Sequence, residues 1–439
     1  MSIREHGGHH GGEFRGFSRP SSGFRGSFSP AARGCRLLDV LCGLGHAAGM
    51  HDLMDSAAEI VDEVVALRRQ IHQNPELGLE NPRTQQAILD ALDGLPLEIR
   101  KGRGLTSVVA DLEGASDGPT VLLRADTDAL PMQEESDEPY CSQVDGRAHA
   151  CGHDAHTAML VGAARLLANR RSEIRGRVRF MFQPGEELFG GAGVMLDEGV
   201  LEGVDRAFAL HISPNLPVGR AACRAGSLMA SFDDLAVTVR GRGGHASMPH
   251  FCTDPVPAMA AMITAIQTAV TREIDAFDPA LVTVAHVRAG TTNNVIPETA
   301  FFEGTIRCVS EQTRRKIRAV VERVCTQVAA AHDCTAEVDL TEGYPVTVND
   351  ADEAARFATV CRTTLGEKSH LTLPAPVMGA EDFSMLLQQV PGVMALLGVC
   401  PEDIANSREA PPCHSNRMRL NEAGLCHGIA LHAAMALDR

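Results

Sequence analysis

From Ser56 onward, short apolar runs of strand length alternate with stretches of helical period, and the order of this alternation changes once, in the middle of the chain. The first helix is marked by Ile60, Val64, Leu67 and Ile71, spaced to share one face. Strands are then expected at 108–112, 121–124, 178–182 and 207–212, with helices at 158–168 and 194–201 between them. Such alternation predicts an α/β domain whose sheet carries helices on its faces. Between 233 and 342 the order becomes strand (235–240), helix (258–269), strand (281–287), strand (301–306), helix (317–331), strand (336–340), the β-α-β-β-α-β order of a ferredoxin-like α+β unit. Helices near Glu353 and Phe383, a strand at 393–397 and a last helix from Glu422 return to the first type. The expected organisation is therefore a larger domain formed by 50–232 and 343–439, with a smaller one, 233–342, inserted into it.

Length agrees with this division, because 439 residues exceed what a single core usually encloses. Residues 1–49 stand apart: rich in Gly, Ser, Arg and His, they lack the apolar content to bury a core and are expected to be a disordered extension. The weak apolar patch 37–44 is interrupted by Asp39 and lies far along the chain, which argues against a signal peptide and leaves Met50 or Met54 as candidate functional starts. Forty basic against 56 acidic residues give a formal charge of −16, which disfavours nucleic acid and anionic membranes as partners. The absence of Trp and the presence of only two Tyr disfavour a base-stacking surface as well. Thirteen cysteines without a Cys-x-x-Cys pair fit neither a disulfide framework nor a zinc ribbon, and the expectation is reduced thiols in a cytoplasmic protein.

Polar residues suited to metals gather where these strands end, the place where open α/β sheets hold their ligands. Asp126 and Asp128 follow the 121–124 strand two residues apart and project to one side, although a local turn cap is the commoner use of such Asp residues. Cys151 and His153 lie on an irregular stretch just before a helix and combine thiolate with imidazole, a donor pair suited to zinc; a helix cap with a buried Cys, or a Cys-His nucleophile pair, are the competing readings. Glu186 and Glu187 follow the 178–182 strand and face opposite ways, so one can bind a cation while the other handles a proton. Gly190 and Gly191 lack a phosphate-loop Lys and read as a close turn. His211 ends the 207–212 strand and His414 sits in Pro412-Cys-His-Ser; each alone is an ordinary structural histidine, whereas Cys151, His153, Glu187, His211 and His414 together supply enough donors for two ions.

The ordered motifs Arg68-Arg-Gln-Ile-His72, Arg124-Ala-Asp-Thr-Asp-Ala-Leu-Pro131, Cys151-Gly-His-Asp-Ala-His156, Gln183-Pro-Gly-Glu-Glu187, Gly241-Arg-Gly-Gly-His245, Asn294-Val-Ile-Pro297 and Gly379-Ala-Glu-Asp-Phe383 resemble the M20 metallopeptidase and amidohydrolase family, in its aminoacylase-like branch. The resemblance implies a catalytic domain with a mixed sheet flanked by helices and an inserted ferredoxin-like domain serving as lid and dimerisation element. It implies two divalent ions, Zn or Mn foremost and Co or Ni as alternatives, held by the five residues just named. Glu186 then corresponds to the general base, Asp128 to a carboxylate orienting a ligand, and His245 to a histidine that enters the active site of a partner subunit in a homodimer. Asn294 and Arg307 match positions that hold the substrate's carboxylate, and Asp126 stands where other branches carry a ligating His. Gly185, Leu188-Phe189 and Arg417-Met418 depart from the family's usual wording. The function implied is metal-dependent hydrolysis of the amide bond in N-acyl amino acids or related conjugates. A non-catalytic metal-binding homologue and a hydrolase using Cys151 as nucleophile are the alternatives.

Overall fold

A computed structural model describes residues 37–187 and 190–438. The sheets, cores and cleft all belong to the unit His46–Arg439. The disordered extension expected over 1–49 lies outside the described residues for 1–36, whereas 37–49 are helical. The first helix runs Leu37–His72 and so begins ahead of Ser56.

One sheet of eight strands organises the larger part of the chain. Its order is Glu98–Lys101, Val108–Glu113, Arg175–Gln183, Ser116–Asp126, Arg206–Ser213, Gly392–Gly398, Ala221–Cys223, His370–Thr372. The central strands Ser116–Asp126, Arg175–Gln183, Arg206–Ser213 and Gly392–Gly398 are mutually parallel, while Val108–Glu113 runs against both of its neighbours and Ala221–Cys223 runs against Gly392–Gly398 but parallel to His370–Thr372. The sheet is thus mixed, as expected. Alternate residues of each strand feed opposite faces. Val108, Ala110, Leu123, Phe180 and Phe182 pack beneath the helices His153–Asn169, Ala351–Leu365 and Ala423–Leu437, whereas Val109, Leu122, Met181 and Ala209 pack toward Gly191–Asp197 and Ser384–Leu387. A helix expected at 194–201 runs instead from Gly191 to Asp197, because Gly199 turns the chain with φ 84°. Six short strands (Ala221–Cys223, Gly226–Met229, Gly244–His245, Val295–Ile296, Thr347–Asn349 and His370–Thr372), the helix Pro82–Leu92 and the edge strand Glu98–Lys101 add to the elements expected from the sequence.

Residues from Asp233 to Glu342 build a second, four-stranded antiparallel sheet in the order Ala280–Ala289, Thr299–Cys308, Asp233–Arg240, Thr335–Glu342. Helices Pro255–Glu273 and Glu311–Ala331 close one face over a separate core of Val237, Met262, Phe302 and Val321. Strand order and connectivity are those of the ferredoxin-like unit. From this unit an arm projects in which Gly244–His245 pairs with Val295–Ile296. The glycines before His245 have a local cause: a Cβ on Gly241 would lie 2.1 Å from the carbonyl oxygen of Thr253.

Candidate metal centre

Three parallel strands of the large sheet end side by side, and each delivers polar groups to one cleft. Ser116–Asp126 delivers Asp126 and, two residues on, Asp128; Arg175–Gln183 leads to Glu186 and Glu187; Arg206–Ser213 carries His211. The loop before His153–Asn169 adds Cys151 and His153, and the segment after Gly392–Gly398 brings His414. His414 itself has φ 69°, an uncommon conformation for a residue with a Cβ, fixed by its N–H donating to the Ala150 carbonyl at 2.8 Å. A cavity of about 550 Å³ is lined by Cys151, Glu186, Glu187, His211, Cys413 and His414 together with Met229, Phe232, Arg307, Tyr344 and Met378.

Hydrogen bonds decide the state of several of these groups. Nδ1 of His211 lies 2.7 Å from the carbonyl oxygen of Ile212, so Nδ1 carries the proton and the lone pair of Nε2 faces Cys151 Sγ at 3.3 Å. The N–H of Ile212 donates to Nε2 of His156, which leaves Nδ1–H of His156 to donate to Asp126 at 2.6 Å. Asp126 is also bound by Nη1 of Arg124 at 2.7 Å, and the same guanidinium reaches Glu381, Asp382 and Gln183. Asp128 accepts the backbone N–H groups of both Glu186 and Glu187, at 2.9 and 3.1 Å. It thereby fixes the turn on which the two carboxylates stand.

His153 lies buried between Asp126 and Asp128, with Nε2 3.6 Å from the first and Nδ1 3.6 Å from the second, and neither nitrogen makes a hydrogen bond among the described residues. Among the same residues Oε1 of Glu187 takes none either, although His414 Nε2 approaches to 3.1 Å and His153 Nε2 to 4.0 Å. Unpaired buried polar atoms are costly, so this set lacks a partner. Within 4.8 Å of one another lie the donor atoms of Cys151, His153 and His211; of Cys151, Glu187 and His414; and of His153, Glu186 and Glu187. Thiolate, imidazole and carboxylate converging with a His211 lone pair already aimed inward fit divalent ions of the zinc type.

The balance of charge points the same way. Burial, followed by the nearby Glu381, Glu187 and Asp382 carboxylates, holds the Glu186 carboxyl well above its ordinary range. Burial opposes the charged form of His153, but Asp126, Asp128 and Glu187 outweigh it and push the imidazole up to about 10. Acidic groups therefore exceed the basic groups available to neutralise them, an imbalance that bound cations relieve.

The structure brings together eight of the residues singled out from sequence: Asp128, Cys151, His153, Glu186, Glu187, His211, His414 and Arg307. It keeps His245 and Asn294 away from the cavity of their own chain. Both are exposed on the projecting arm, where the Ala246 N–H donates to the Asn294 carbonyl and Nδ1 of His245 meets Ser247. Met418 is buried outside the cavity, and Leu188 and Phe189 lie outside the described residues. Sequence reasoning passed over Arg124, His156, Cys413 and Tyr344. Arg124 and His156 lay inside motifs already noted; the Tyr344 hydroxyl, which donates to the Glu186 carbonyl at 2.6 Å, had no local signal.

A family model for peptidase family M20/M25/M40 matches residues 122–438. The chain is 40% identical over 384 residues to an Arabidopsis thaliana protein named IAA-amino acid hydrolase ILR1-like 2, covering 87% of this chain and 86% of that one. It is 38% identical over 336 residues to a Bacillus subtilis (strain 168) N-acetylcysteine deacetylase, covering 76% and 88%. A Bacillus subtilis crystal structure described as a dinuclear metal binding peptidase from the M20 family superposes with a TM-score of 0.76 at 32% identity, covering 87% of this chain and 98% of that one. A matched family model spanning most of the chain, relatives aligned nearly end to end and a cleft built for divalent metal ions lead to one conclusion: this chain belongs to peptidase family M20/M25/M40 and is a hydrolase of amide C–N bonds.

Proposed function

We propose that the chain hydrolyses the amide bond of N-acyl amino acids at a dinuclear centre, with Zn or Mn as the native ions and Co or Ni as alternatives. The observation that carries this reading is the convergence of Cys151, His153, Glu187, His211 and His414 around Glu186 in one cavity. These five side chains would hold the ions, which supply the positive charge that acidifies a water and steadies the oxygen of the attacked carbonyl. Glu186 accepts the water's proton and returns it to the departing amine. Asp128 holds the Glu186–Glu187 turn in register through the two backbone N–H groups, and Asp126 steadies His156 and, with Asp128, flanks His153.

Arg307 binds the substrate's carboxylate through paired hydrogen bonds, and Asn294, which lies outside its own chain's cavity, joins it from the partner's arm. The active unit is a homodimer in which His245 of each chain, exposed on its arm, enters the cleft of the other and donates to the developing oxyanion. A cytoplasmic setting accords with eleven described cysteines, all free, and with the absence among the described residues of any helix long and apolar enough to cross a membrane. Arrangement also favours Cys151 as ligand over nucleophile, since its nearest base, His211 Nε2, is one of the groups the ions would occupy. The reading is tested by following N-acetyl amino acids for equimolar release of acetate and amino acid, with activity abolished by chelation and regained with added Zn or Mn. Turnover that persists after exhaustive chelation would refute it.

A further inference from the structure

The cavity lining is of two chemical kinds, and the difference bears on which amino acid is released. Beside the metal-ligating groups and Glu186 stand Arg307 and the apolar side chains of Met229, Phe232 and Met378. The Arg307 guanidinium lies 5.3 Å above the Phe232 ring and donates from Nη1 to the Met378 carbonyl at 3.2 Å. It has no carboxylate partner among the described residues, and it is the only Lys or Arg lining the cavity. Half-buried and unpaired, it presents one positive charge to whatever anion enters.

From this we propose that the wall of Met229, Phe232 and Met378 selects leaving amino acids with apolar side chains and rejects acidic ones. The argument rests on the reading that Arg307 receives the substrate's carboxylate. An amino acid's carboxylate and side chain grow from the same Cα, so the carboxyl carbon and Cβ are only about 2.5 Å apart. Once the carboxylate is fixed at Arg307, the side chain falls against the groups around Arg307. The acyl group lies across the scissile bond from them. Two thioethers and a phenyl ring offer dispersion contact without a hydrogen bond, and methionine adapts to different apolar shapes. Leucine, methionine and phenylalanine side chains are therefore all accommodated. A side-chain carboxylate would leave water for an apolar surface with Arg307 already engaged and the Glu186 and Glu381 carboxylates in the same cavity.

The experiment compares kcat/KM of the metal-loaded enzyme for N-acetyl derivatives of leucine, methionine, phenylalanine, aspartate and glutamate. The three apolar substrates are expected within about tenfold of one another and about a hundredfold above the two acidic ones. Met378→Arg provides the second arm. Arg307 hydrogen-bonds the main-chain carbonyl of Met378 and that residue is 37% exposed, so the substitution adds a cation without removing that bond. It should narrow the leucine-to-glutamate ratio at least tenfold. Acidic substrates turned over as well as leucine by the wild type, or a ratio unmoved in a folded Met378→Arg enzyme that still hydrolyses N-acetyl-leucine, would overturn the proposal. Failure to hydrolyse any member of the panel would instead defeat the parent reading, and the selectivity with it.

Discussion

The carboxylate of Asp128 accepts the backbone N–H of Glu186 at 2.9 Å, and its other oxygen accepts the N–H of Glu187. One side chain at the end of one strand thus positions both carboxylates at the end of the next. Removing it in Asp128→Ala strands two N–H groups and frees the turn. Both activity and metal affinity are expected to fall about 10- to 100-fold, as for other groups that orient ligands. Metal titration of the purified variant checks this, and unchanged affinity would show that the turn holds itself.

Cys151 distinguishes ligand from nucleophile. Cys151→Ser replaces a thiolate by a poorer hydroxyl ligand. The variant should purify with less metal, and excess Zn or Mn should restore part of its turnover. Full metal occupancy with activity that no added metal rescues would identify a nucleophile instead.

Much of this centre could be read from sequence because its groups occupy short motifs at strand ends, where backbone geometry dictates where they point. Asp126 and Asp128, Cys151 and His153, and Glu186 and Glu187 are such pairs. Contacts that close the site from afar left no pattern to read. Arg124 meets Glu381 and Asp382 across more than 250 residues, and Tyr344 reaches Glu186 from beyond the inserted unit. In the fold, the long strands were legible by their apolar runs, whereas Ala221–Cys223, Gly226–Met229 and Thr347–Asn349 are too short to carry a period. The need for glycine before His245 also comes from afar: a Cβ on Gly241 would meet the Thr253 carbonyl, one on Gly243 the Ile296 carbonyl and one on Gly244 the Cys252 sulfur.

A pH effect is expected away from the cleft. His72 lies against two carboxylates, Nδ1 with Asp154 at 2.8 Å and Nε2 with Glu134 at 3.1 Å. Burial alone would raise the Glu134 pKa, but hydrogen bonds from His72, Ser136 and the Ser142 N–H bring it down to about 2, from an ordinary 4.5. A depressed folded-state pKa means stability present above pH 4.5 and lost as pH falls toward 2. Glu134→Gln should therefore be less stable than wild type at pH 6, by about 1–3 kcal/mol. Denaturant unfolding at a series of pH values should show the gap shrinking as pH drops below 4.5. A gap constant with pH would mean that the charge contributes nothing.

If His245 acts across a dimer, two dead enzymes can repair one another. Mixed Glu186→Gln and His245→Ala chains form hybrids in which one site has an intact base and an intact incoming histidine. Partial activity should return on mixing, with subunit exchange verified by differently tagged chains. Exchange without activity would place His245 in the service of its own chain.

The central claim is that Glu186 moves the proton at a metal centre that it does not itself hold together. Glu186→Gln preserves shape and removes the proton acceptor, so the measurement pairs kcat on an N-acyl amino acid with metal content per chain in the same preparation. Wild-type metal content with kcat lowered about 10²- to 10⁴-fold is the predicted result. A variant that turns over at the wild-type rate, or one that loses its metal along with its activity, contradicts it.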